Sequence, residues 1–313
     1  MRVVTASRRT DIPAFYTAWL LRRLDSGFCH TLNPISGAVT RIPLGAEDIA
    51  ALGLFTRDPR PLLPHLPRLL ERGYRIYAHV TLTGYPAPLE SRAPAVDTSV
   101  GSIRALSEIL GAESTVWRYD PIVLGAGVDE AYHIGRFAAL AADLEGAVRE
   151  CYVSFIDPYR KTARNLEAVG VRDLAWTVGE RHRELAHRLA SIAEKRGIEL
   201  CACAEQVLVA DGVREGACVD PTLVERLRPG AELRWRPTRK DCGCAESIDL
   251  GAYHTCGFGC AYCYATETPE LGRRNLREHD AEDTILWRPE HLRGVDLEAL
   301  EPVLAEGSQA WLF

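Results

Sequence analysis

Three cysteines near the end of the chain have the spacing of a metal-binding loop. Cys256, Cys260 and Cys263 form a C-x3-C-x2-C pattern. Thiolates are soft ligands, and a cubane [4Fe-4S] cluster normally takes one thiolate for each iron. Three thiolates from one loop therefore leave one iron open to a non-protein ligand. Gly257 and Gly259 allow a tight loop whose backbone N–H groups point at the sulfurs, so the pattern predicts an open-site cluster.

Two other structures are compatible with the same loop. A structural zinc ion would need a fourth ligand, from another cysteine or from His254. Alternatively, the loop is oxidised and carries a disulfide bond. The chain has ten cysteines, which in a reducing compartment are more naturally thiols and metal ligands than disulfides.

A second set of cysteines precedes the loop. Cys201 and Cys203 alternate along a predicted strand, and Cys203 at its end is better placed to join Cys218, Cys242 and Cys244. Four thiolates suffice for a second, auxiliary [4Fe-4S] cluster or for an all-cysteine zinc site. The single residue between Cys242 and Cys244 is shorter than the C-x2-C that zinc knuckles prefer, which favours iron–sulfur. Partly free buried thiols are the third alternative.

Composition places limits on the class of protein. The 313 residues are 47% hydrophobic and 26% charged, as in an ordinary soluble globular protein. The formal net charge of −6 gives no global basic field for non-specific nucleic-acid binding. No apolar run reaches membrane-spanning length and the N-terminus does not resemble a signal peptide, so we expect a cytoplasmic protein without a membrane partner.

The elements that must position these cysteines follow a regular order of strand, polar loop and helix. Strands are predicted at 2–7, 51–55, 74–82, 115–119, 151–156 and 198–204. This order favours a parallel sheet with crossover helices, and no glycine-rich dinucleotide fingerprint follows the first strand. We therefore predict an α/β fold: a partial or closed (β/α)6-like TIM-type barrel with a Cys-rich, irregular C-terminal iron–sulfur region. The predicted division is a barrel at 1–205, a cluster-binding region packed on it at 206–265, and a tail at 266–313.

The carboxyl ends of the strands are the working face of such a barrel. Asp58, Asp120 and Asp157 each follow a strand and precede a proline, and capping of the turn is the alternative to a role in the site. The full set of candidates at the strand ends is Arg8, Arg9, Asp11, Arg57, Asp58, Thr83, Arg118, Asp120, Asp157, Cys203 and Glu205.

The cysteine loop, with Tyr262 before its last cysteine, resembles the cluster loop of radical S-adenosylmethionine (SAM) enzymes. Five motifs extend the resemblance to the DUF1848 family, from about residue 2 to residue 286. They are Ser7-Arg-Arg-Thr-Asp-Ile-Pro13, Leu82-Thr-Gly-Tyr85, Trp117-Arg-Tyr-Asp-Pro121, Cys203-Ala-Glu205, and Cys242-Gly-Cys-Ala-Glu-Ser247 through Cys263-Tyr-Ala265. Members of this family are grouped with radical SAM proteins of the spore-photoproduct-lyase ("DNA repair photolyase") type.

This resemblance implies a cluster on the three loop cysteines and a role for Cys203, Cys218, Cys242 and Cys244. It also implies SAM as cofactor, cleaved with an electron from a reductant such as flavodoxin or ferredoxin to start radical chemistry. Arg118 is then a candidate to pair with the SAM carboxylate. Thr81, Thr83 and Tyr262 are further cofactor-site candidates. Asp120, Asp157 and Glu205 are candidates to hold ribose hydroxyls or substrate, and Arg8 and Arg9 an anionic substrate group.

Two features differ from the general radical SAM pattern. The cysteine loop follows the whole barrel instead of the first strand, and no Gly-Gly-Glu motif is visible. Two other classes of function therefore stay open. One is an iron–sulfur protein without SAM chemistry, acting in electron transfer or hydrolysis. The other is a zinc-stabilised barrel that binds a ligand or nucleic acid.

The sequence does not specify the substrate, which is a small molecule, a peptide or nucleic acid. The last five residues, Gln309 to Phe313, resemble the short peptide with which bacterial proteins dock on the sliding clamp. The alternative for these residues is an apolar tail that folds back on the barrel.

Overall fold

Ten strands are present in the computed structural model, which describes residues 1–210, 212–235 and 242–300. They are β1 (Arg2–Ala6), β2 (Phe28–Leu32), β3 (Val39–Pro43), β4 (Ile49–Thr56), β5 (Ile76–Thr81), β6 (Thr115–Arg118), β7 (Glu150–Val153), β8 (Glu199–Cys203), β9 (Val213–Gly216) and β10 (Ser247–Asp249). Eight of them form one sheet in the order β10-β1-β4-β5-β6-β7-β8-β9, while β2 and β3 form a separate antiparallel hairpin. Every neighbouring pair in the large sheet is parallel.

Helices connect the strands of the sheet. They are α1 (Ile12–Phe15), α2 (Thr17–Ser26), α3 (Leu66–Glu71), α4 (Val96–Leu110), α5 (Glu130–Asp143), α6 (Arg160–Ala168), α7 (Glu180–Glu194), α8 (Pro221–Leu227) and α9 (Pro269–Arg277). Local chemistry sets several of their ends. Asp129 caps α5 by accepting a hydrogen bond from the Tyr132 N–H, and Gly27 ends α2 with a φ of 76° that favours glycine.

Both faces of the sheet are covered. Every residue of β4 is buried, as expected for a parallel strand with packing on each side. One face packs against the helices through residues such as Leu52, Trp117 and Leu200. The opposite face carries Tyr77, together with Val3 of β1, and packs against α8 and the segments next to β9 and β10. The sheet therefore separates a helical layer from a cysteine-rich interior.

The predicted barrel requires a correction. All six predicted strands are present, but the described strands do not close into a barrel, because β9 and β10 are the two unpaired edges of the sheet. The number of sheet strands is eight, not six, and both additional strands lie in the region that was predicted to be irregular. Each is only three or four residues long. Segments this short that contain charged residues show too little alternation of apolar and polar residues to be predicted as strands from the sequence.

Two predictions concern features outside the sheet. Within the described ranges, no helix is long and apolar enough to cross a membrane. The predicted sliding-clamp peptide at residues 309–313 lies outside the described residues.

Acid is expected to destabilise this fold through His133. The ring is buried, Nε2 donates to the Val123 carbonyl (2.9 Å), and Nδ1 accepts from the Tyr119 hydroxyl (2.9 Å), so the neutral ring satisfies both partners. Burial lowers the pKa of His133 below its usual value. Below about pH 6.5 the unfolded chain therefore binds a proton that the folded protein does not. The free energy of unfolding should fall by up to about 1.4 kcal/mol per pH unit for this proton.

Urea unfolding between about pH 7.5 and 5.5 measures this loss. His133→Gln should be less stable than the wild type at neutral pH but should lose less stability on acidification. His291→Gln, which changes an exposed histidine, is the control and should follow the wild type. An unchanged pH dependence in His133→Gln would contradict the assignment.

Candidate metal and cofactor site

The cysteine loop leaves the sheet directly after β10. Its two ends are joined by a hydrogen bond from the His254 N–H to the Ala265 carbonyl (3.0 Å), and a tight turn inside it places the Cys263 N–H on the Cys260 carbonyl (3.1 Å). Gly259 has a φ of 71°, which a residue with a side chain rarely adopts. The loop is therefore a closed turn that brings three cysteines close together.

Close packing holds this loop against α1 and α9. Phe258 packs on Phe15 with ring centroids 4.7 Å apart. A side chain at Gly272 of α9 would place its Cβ 2.3 Å from the Cys256 carbonyl oxygen, so only glycine permits this approach. The first cysteine is thereby fixed between two helices.

A buried ion pair anchors the middle of the loop. The Glu90 carboxylate lies 2.8 Å from the Arg57 guanidinium and accepts hydrogen bonds from the hydroxyls of Thr83 and Tyr262. The Arg57 guanidinium also donates to the Tyr262 hydroxyl. Nearby, the Ala261 N–H donates to the backbone of the segment that carries Glu90 (2.9 Å). The ends of β4 and β5 thus position the loop through one carboxylate.

The second set of cysteines lies where the segments beside the two edge strands, β9 and β10, contact each other. Cys218 follows β9, and Cys242 and Cys244 precede β10. The sulfurs of Cys203 and Cys218 are 3.1 Å apart, and Cys244 lies within hydrogen-bonding distance of Cys218 and Cys242. The Val219 N–H also donates to the Cys244 sulfur (3.4 Å). We call this place, where Cys203, Cys218, Cys242 and Cys244 meet between β9 and β10, the seam.

The surroundings of Cys218 lower the pKa of its thiol. Hydrogen bonds from the Cys203 and Cys244 thiols, and the nearby Arg118 guanidinium, hold the pKa of Cys218 well below its usual value. Arg118 Nη1 lies 3.2 Å from the sulfur. The hydrogen bonds that Cys244 makes to Cys218 and Cys242 raise the pKa of Cys244. Neighbouring thiols and a guanidinium therefore favour the charged form of Cys218 within the seam.

Both sets of cysteines line one cavity of about 290 Å³ at the carboxyl ends of the strands. The cysteines that reach it are Cys203, Cys218, Cys242, Cys244, Cys256, Cys260 and Cys263. All ten cysteines of the chain are free. The seven thiols predicted to bind metal thus converge on a single space, although they come from segments up to 60 residues apart in sequence.

The predicted polar residues divide into two groups. Thr81, Arg118, Asp120 and Asp157 line the cavity, and so does Tyr262. The Arg118 guanidinium bonds both carboxylate oxygens of Asp120, with an Nε–Oδ1 distance of 3.0 Å. This pair places a fixed positive group beside the thiols.

Thr83 and Glu205 lie outside the residues that line this cavity. The Thr83 hydroxyl is bonded to Glu90, and the Glu205 carboxylate accepts a hydrogen bond from the Phe155 N–H (2.7 Å). Asp58 pairs with Arg60 at 2.7 Å and so has the turn-stabilising role that was the alternative. The strand-end rule pointed to the edge of the sheet where the cavity lies, but it could not tell which side chains line that cavity.

Sequence reasoning missed Glu90 and Asp249. Glu90 lies in the loop between β5 and α4, where no spacing pattern distinguishes it. Asp249 is buried at the end of β10 and accepts hydrogen bonds from the Ser7 hydroxyl (2.6 Å) and the Arg8 N–H (2.7 Å). The signal for Asp249 was its position directly before the cysteine loop, at the end of a strand too short to predict.

A different group of possible ligands lies at the amino-terminal ends of the strands. The ligand atoms of Glu150, Glu199 and Cys201 lie within 4.8 Å of one another. The Arg214 guanidinium pairs with both carboxylates, at 2.6 and 2.9 Å. This group is therefore an ion-pair cluster in which one guanidinium is shared by two carboxylates, distinct from the site at the carboxyl ends.

Fold and site together define an α/β protein with a cysteine-rich region set against the carboxyl ends of a parallel sheet. The chain belongs to the family described as "Domain of unknown function (DUF1848)", which it matches over residues 3–265. No curated protein matches its sequence.

Solved structures with some likeness differ strongly from this chain. Pneumococcal StrH, studied for N-glycan recognition and hydrolysis, is 11% identical with a TM-score of 0.26; the match covers 72% of this chain and 62% of that chain. A candidate alpha-L-fucosidase from Bacteroides thetaiotaomicron is 10% identical with a TM-score of 0.26, over 80% of this chain and 95% of that chain. Rhizobium etli pyruvate carboxylase is 13% identical with a TM-score of 0.23, over 73% of this chain and 25% of that chain. Likenesses at this level carry no argument about function.

Loss of the Glu90 carboxylate is expected to destabilise the protein strongly. Glu90→Ala leaves the Arg57 guanidinium buried without its partner, which should lower the free energy of unfolding by about 3–5 kcal/mol. Tyr262→Phe removes one hydroxyl from the same network and keeps the ion pair, so its cost should be about 1 kcal/mol.

Urea unfolding of both variants provides the measurement. Glu184→Ala, at an exposed position of α7, is the matched control and should change stability by less than about 0.5 kcal/mol. Equal losses in Glu90→Ala and Tyr262→Phe would show that the ion pair does not anchor the loop.

Proposed function

We propose that this protein is a radical SAM-type enzyme that holds a [4Fe-4S] cluster on Cys256, Cys260 and Cys263. One observation carries the proposal. The three thiols of the loop line the same cavity as Arg118 and Asp120 at the strand ends. A cluster held there would face a space with room for a further ligand.

The donor set fits such a cluster. Burial raises the pKa of Cys260 to about 12 and raises that of Cys256 well above its usual value. These groups are therefore protonated thiols unless a cation compensates for the loss of solvent, and iron is such a cation. His254, the alternative fourth ligand, accepts a hydrogen bond from the Glu267 N–H at Nδ1 (3.0 Å) and does not line this cavity. The arrangement thus favours three protein ligands.

When bound and reduced, a cluster of this type supplies the electron that cleaves SAM. The protein's part is positioning. The Arg118 guanidinium is a candidate to bind the SAM carboxylate, and Asp120 fixes its orientation through two hydrogen bonds. Thr81 offers a hydroxyl at the same cavity. Phe55, Phe155 and Phe258 supply apolar walls that limit access of water to the reaction.

Both sets of thiols line the same cavity, and this arrangement also supports an auxiliary metal site. The seam offers four sulfurs from four positions, which suffices for a fully ligated [4Fe-4S] cluster or for zinc. A metal ion there would crosslink the two unpaired edges of the sheet. The lowered pKa of Cys218 is consistent with such a site.

Anaerobic reconstitution with iron and sulfide, followed by dithionite and SAM, tests the proposal. Wild-type protein should produce 5′-deoxyadenosine, and Cys256→Ala should produce none, because one iron of the cluster loses its thiolate. Cys29→Ala, which changes a buried cysteine remote from the cavity lining, should retain the activity. Full iron loading of the wild type without cleavage of SAM would favour an electron-transfer protein instead.

Metal analysis of the same preparations tests the seam. Wild-type protein should bind about eight irons per chain, and Cys244→Ala should bind about four, because only the auxiliary cluster is lost. Cleavage of SAM should persist in part in this variant. Zinc at the seam, or equal iron content in the two proteins, would contradict an auxiliary iron–sulfur cluster.

A further inference from the structure

A second cavity, of about 430 Å³, adjoins the first. Its walls come from the β2–β3 hairpin, the start of α6, the segment after β10 and residues 285–287. This volume lies in the range of about 300–1,000 Å³ that is typical of pockets for small molecules. None of the seven cysteines predicted to bind metal lines it, although His254, the alternative zinc ligand, does.

The two cavities share a wall. Arg9, Tyr159 and Tyr264 line both of them. Tyr264 directly follows Cys263, and its hydroxyl donates to the Arg8 carbonyl. A molecule in the second cavity would therefore lie one residue away from the cysteine loop without entering the space in front of the thiols.

The second cavity is lined by cationic and aromatic groups. Arg9 and Lys161 reach it, whereas no aspartate or glutamate is among its lining residues. Lys161 has no carboxylate within 4.0 Å in the described part of the chain. It lies in the first turn of α6, which contains no acidic residue, although a helix amino terminus favours negative charge. A bound anion would offset both unfavourable features.

Aromatic rings complete the lining. Tyr253, Trp287 and Tyr264 face the cavity, and the Arg9 guanidinium lies 5.4 Å from the centre of the Tyr253 ring. Trp287 and Tyr253 are only partly buried, so they offer ring surface to a ligand. Leu250, Ile285 and Leu286 add apolar contact. This combination suits a flat ring system with an attached anionic group.

We propose that the second cavity binds the substrate, a small molecule that carries an aromatic ring and a phosphate or carboxylate. The anionic group contacts Lys161 and the amino terminus of α6, and the ring packs on Trp287. The opposite end of the molecule then lies against Tyr264, next to the cysteine loop. The binding site stands on its own geometry, and only its role as the substrate site rests on the proposed function.

Naphthyl phosphate is a suitable probe, because it has both features and no resemblance to SAM. Isothermal titration calorimetry with iron-reconstituted protein compares it with naphthoate, with naphthol, which lacks the anion, and with inorganic phosphate, which lacks the ring. Naphthyl phosphate or naphthoate should bind at least about tenfold more tightly than naphthol and phosphate. The tighter of the two identifies the anionic group as phosphate or carboxylate.

Variants locate the binding site. Lys161→Gln and Trp287→Ala should each weaken binding of the tighter probe by about tenfold or more. The matched controls are Lys195→Gln, at the end of α7, and Trp235→Ala, whose side chain is 69% exposed, and both should bind like the wild type. Absence of saturable binding, or equal binding by Lys161→Gln and Lys195→Gln, would overturn the inference.

The same preparations are assayed for 5′-deoxyadenosine, so the two proposals can fail separately. Cleavage of SAM without binding of either anionic probe would contradict the proposal that the second cavity binds the substrate, and it would leave the proposed function intact. Binding of a probe that is weakened by Lys161→Gln and Trp287→Ala, without cleavage of SAM, would support the second cavity as a binding site. It would contradict a role of that cavity in radical chemistry.

Discussion

The path of the chain from the sheet into the cysteine loop depends on one buried carboxylate. Asp249 ends β10 and accepts hydrogen bonds from the Thr5 and Ser7 hydroxyls and from the backbone N–H groups of Arg8 and Gly251. Burial alone would raise its pKa, but the nearby Arg9 and Arg8 guanidinium groups outweigh this effect, so the pKa lies below its usual value. Hydrogen bonds to a charged group contribute about 1.5–3 kcal/mol each. A strand of only three residues is thereby fixed to β1, and the loop that follows it to the strand ends.

The two thiol sets are held by different means. The loop is a local structure, closed on itself and packed between α1 and α9, so its three cysteines come from one short segment of the chain. The seam is assembled from β8 and from the segments beside β9 and β10, and it exists only when the sheet is complete. Arg118 belongs to both environments, because it contacts Cys218 and also lines the shared cavity with the loop cysteines. One guanidinium therefore lies at both places.

Much of this arrangement was predictable from local pattern, and the remainder depended on tertiary contacts. Six buried strands and their helices follow from apolar periodicity, and the loop cysteines from their spacing. The four seam cysteines lie near one another, as the prediction that they share a site requires. Their location between the sheet edges was not foreseen, because β9 and β10 are too short to leave a periodic signal. Thr83 and Glu205 were assigned to the site from their strand-end position alone. Their actual partners could not be inferred, because Glu90 lies in an irregular loop seven residues after Thr83 and the Phe155 backbone is 50 residues from Glu205.

The pairing of β1 with β10 has a consequence for synthesis of the chain. Val3 of β1 is paired with Ser247 of β10, the last of the described strands. That edge of β1 is therefore uncovered until β10 has been synthesised. At about 5–20 residues per second, the interval on the ribosome is on the order of tens of seconds. During this time the nascent chain presents one exposed sheet edge, and the thiols of the seam are not yet buried. Contacts this distant in sequence also slow the final step of folding. For this interval, groups that the finished molecule buries are accessible to solvent and to other proteins.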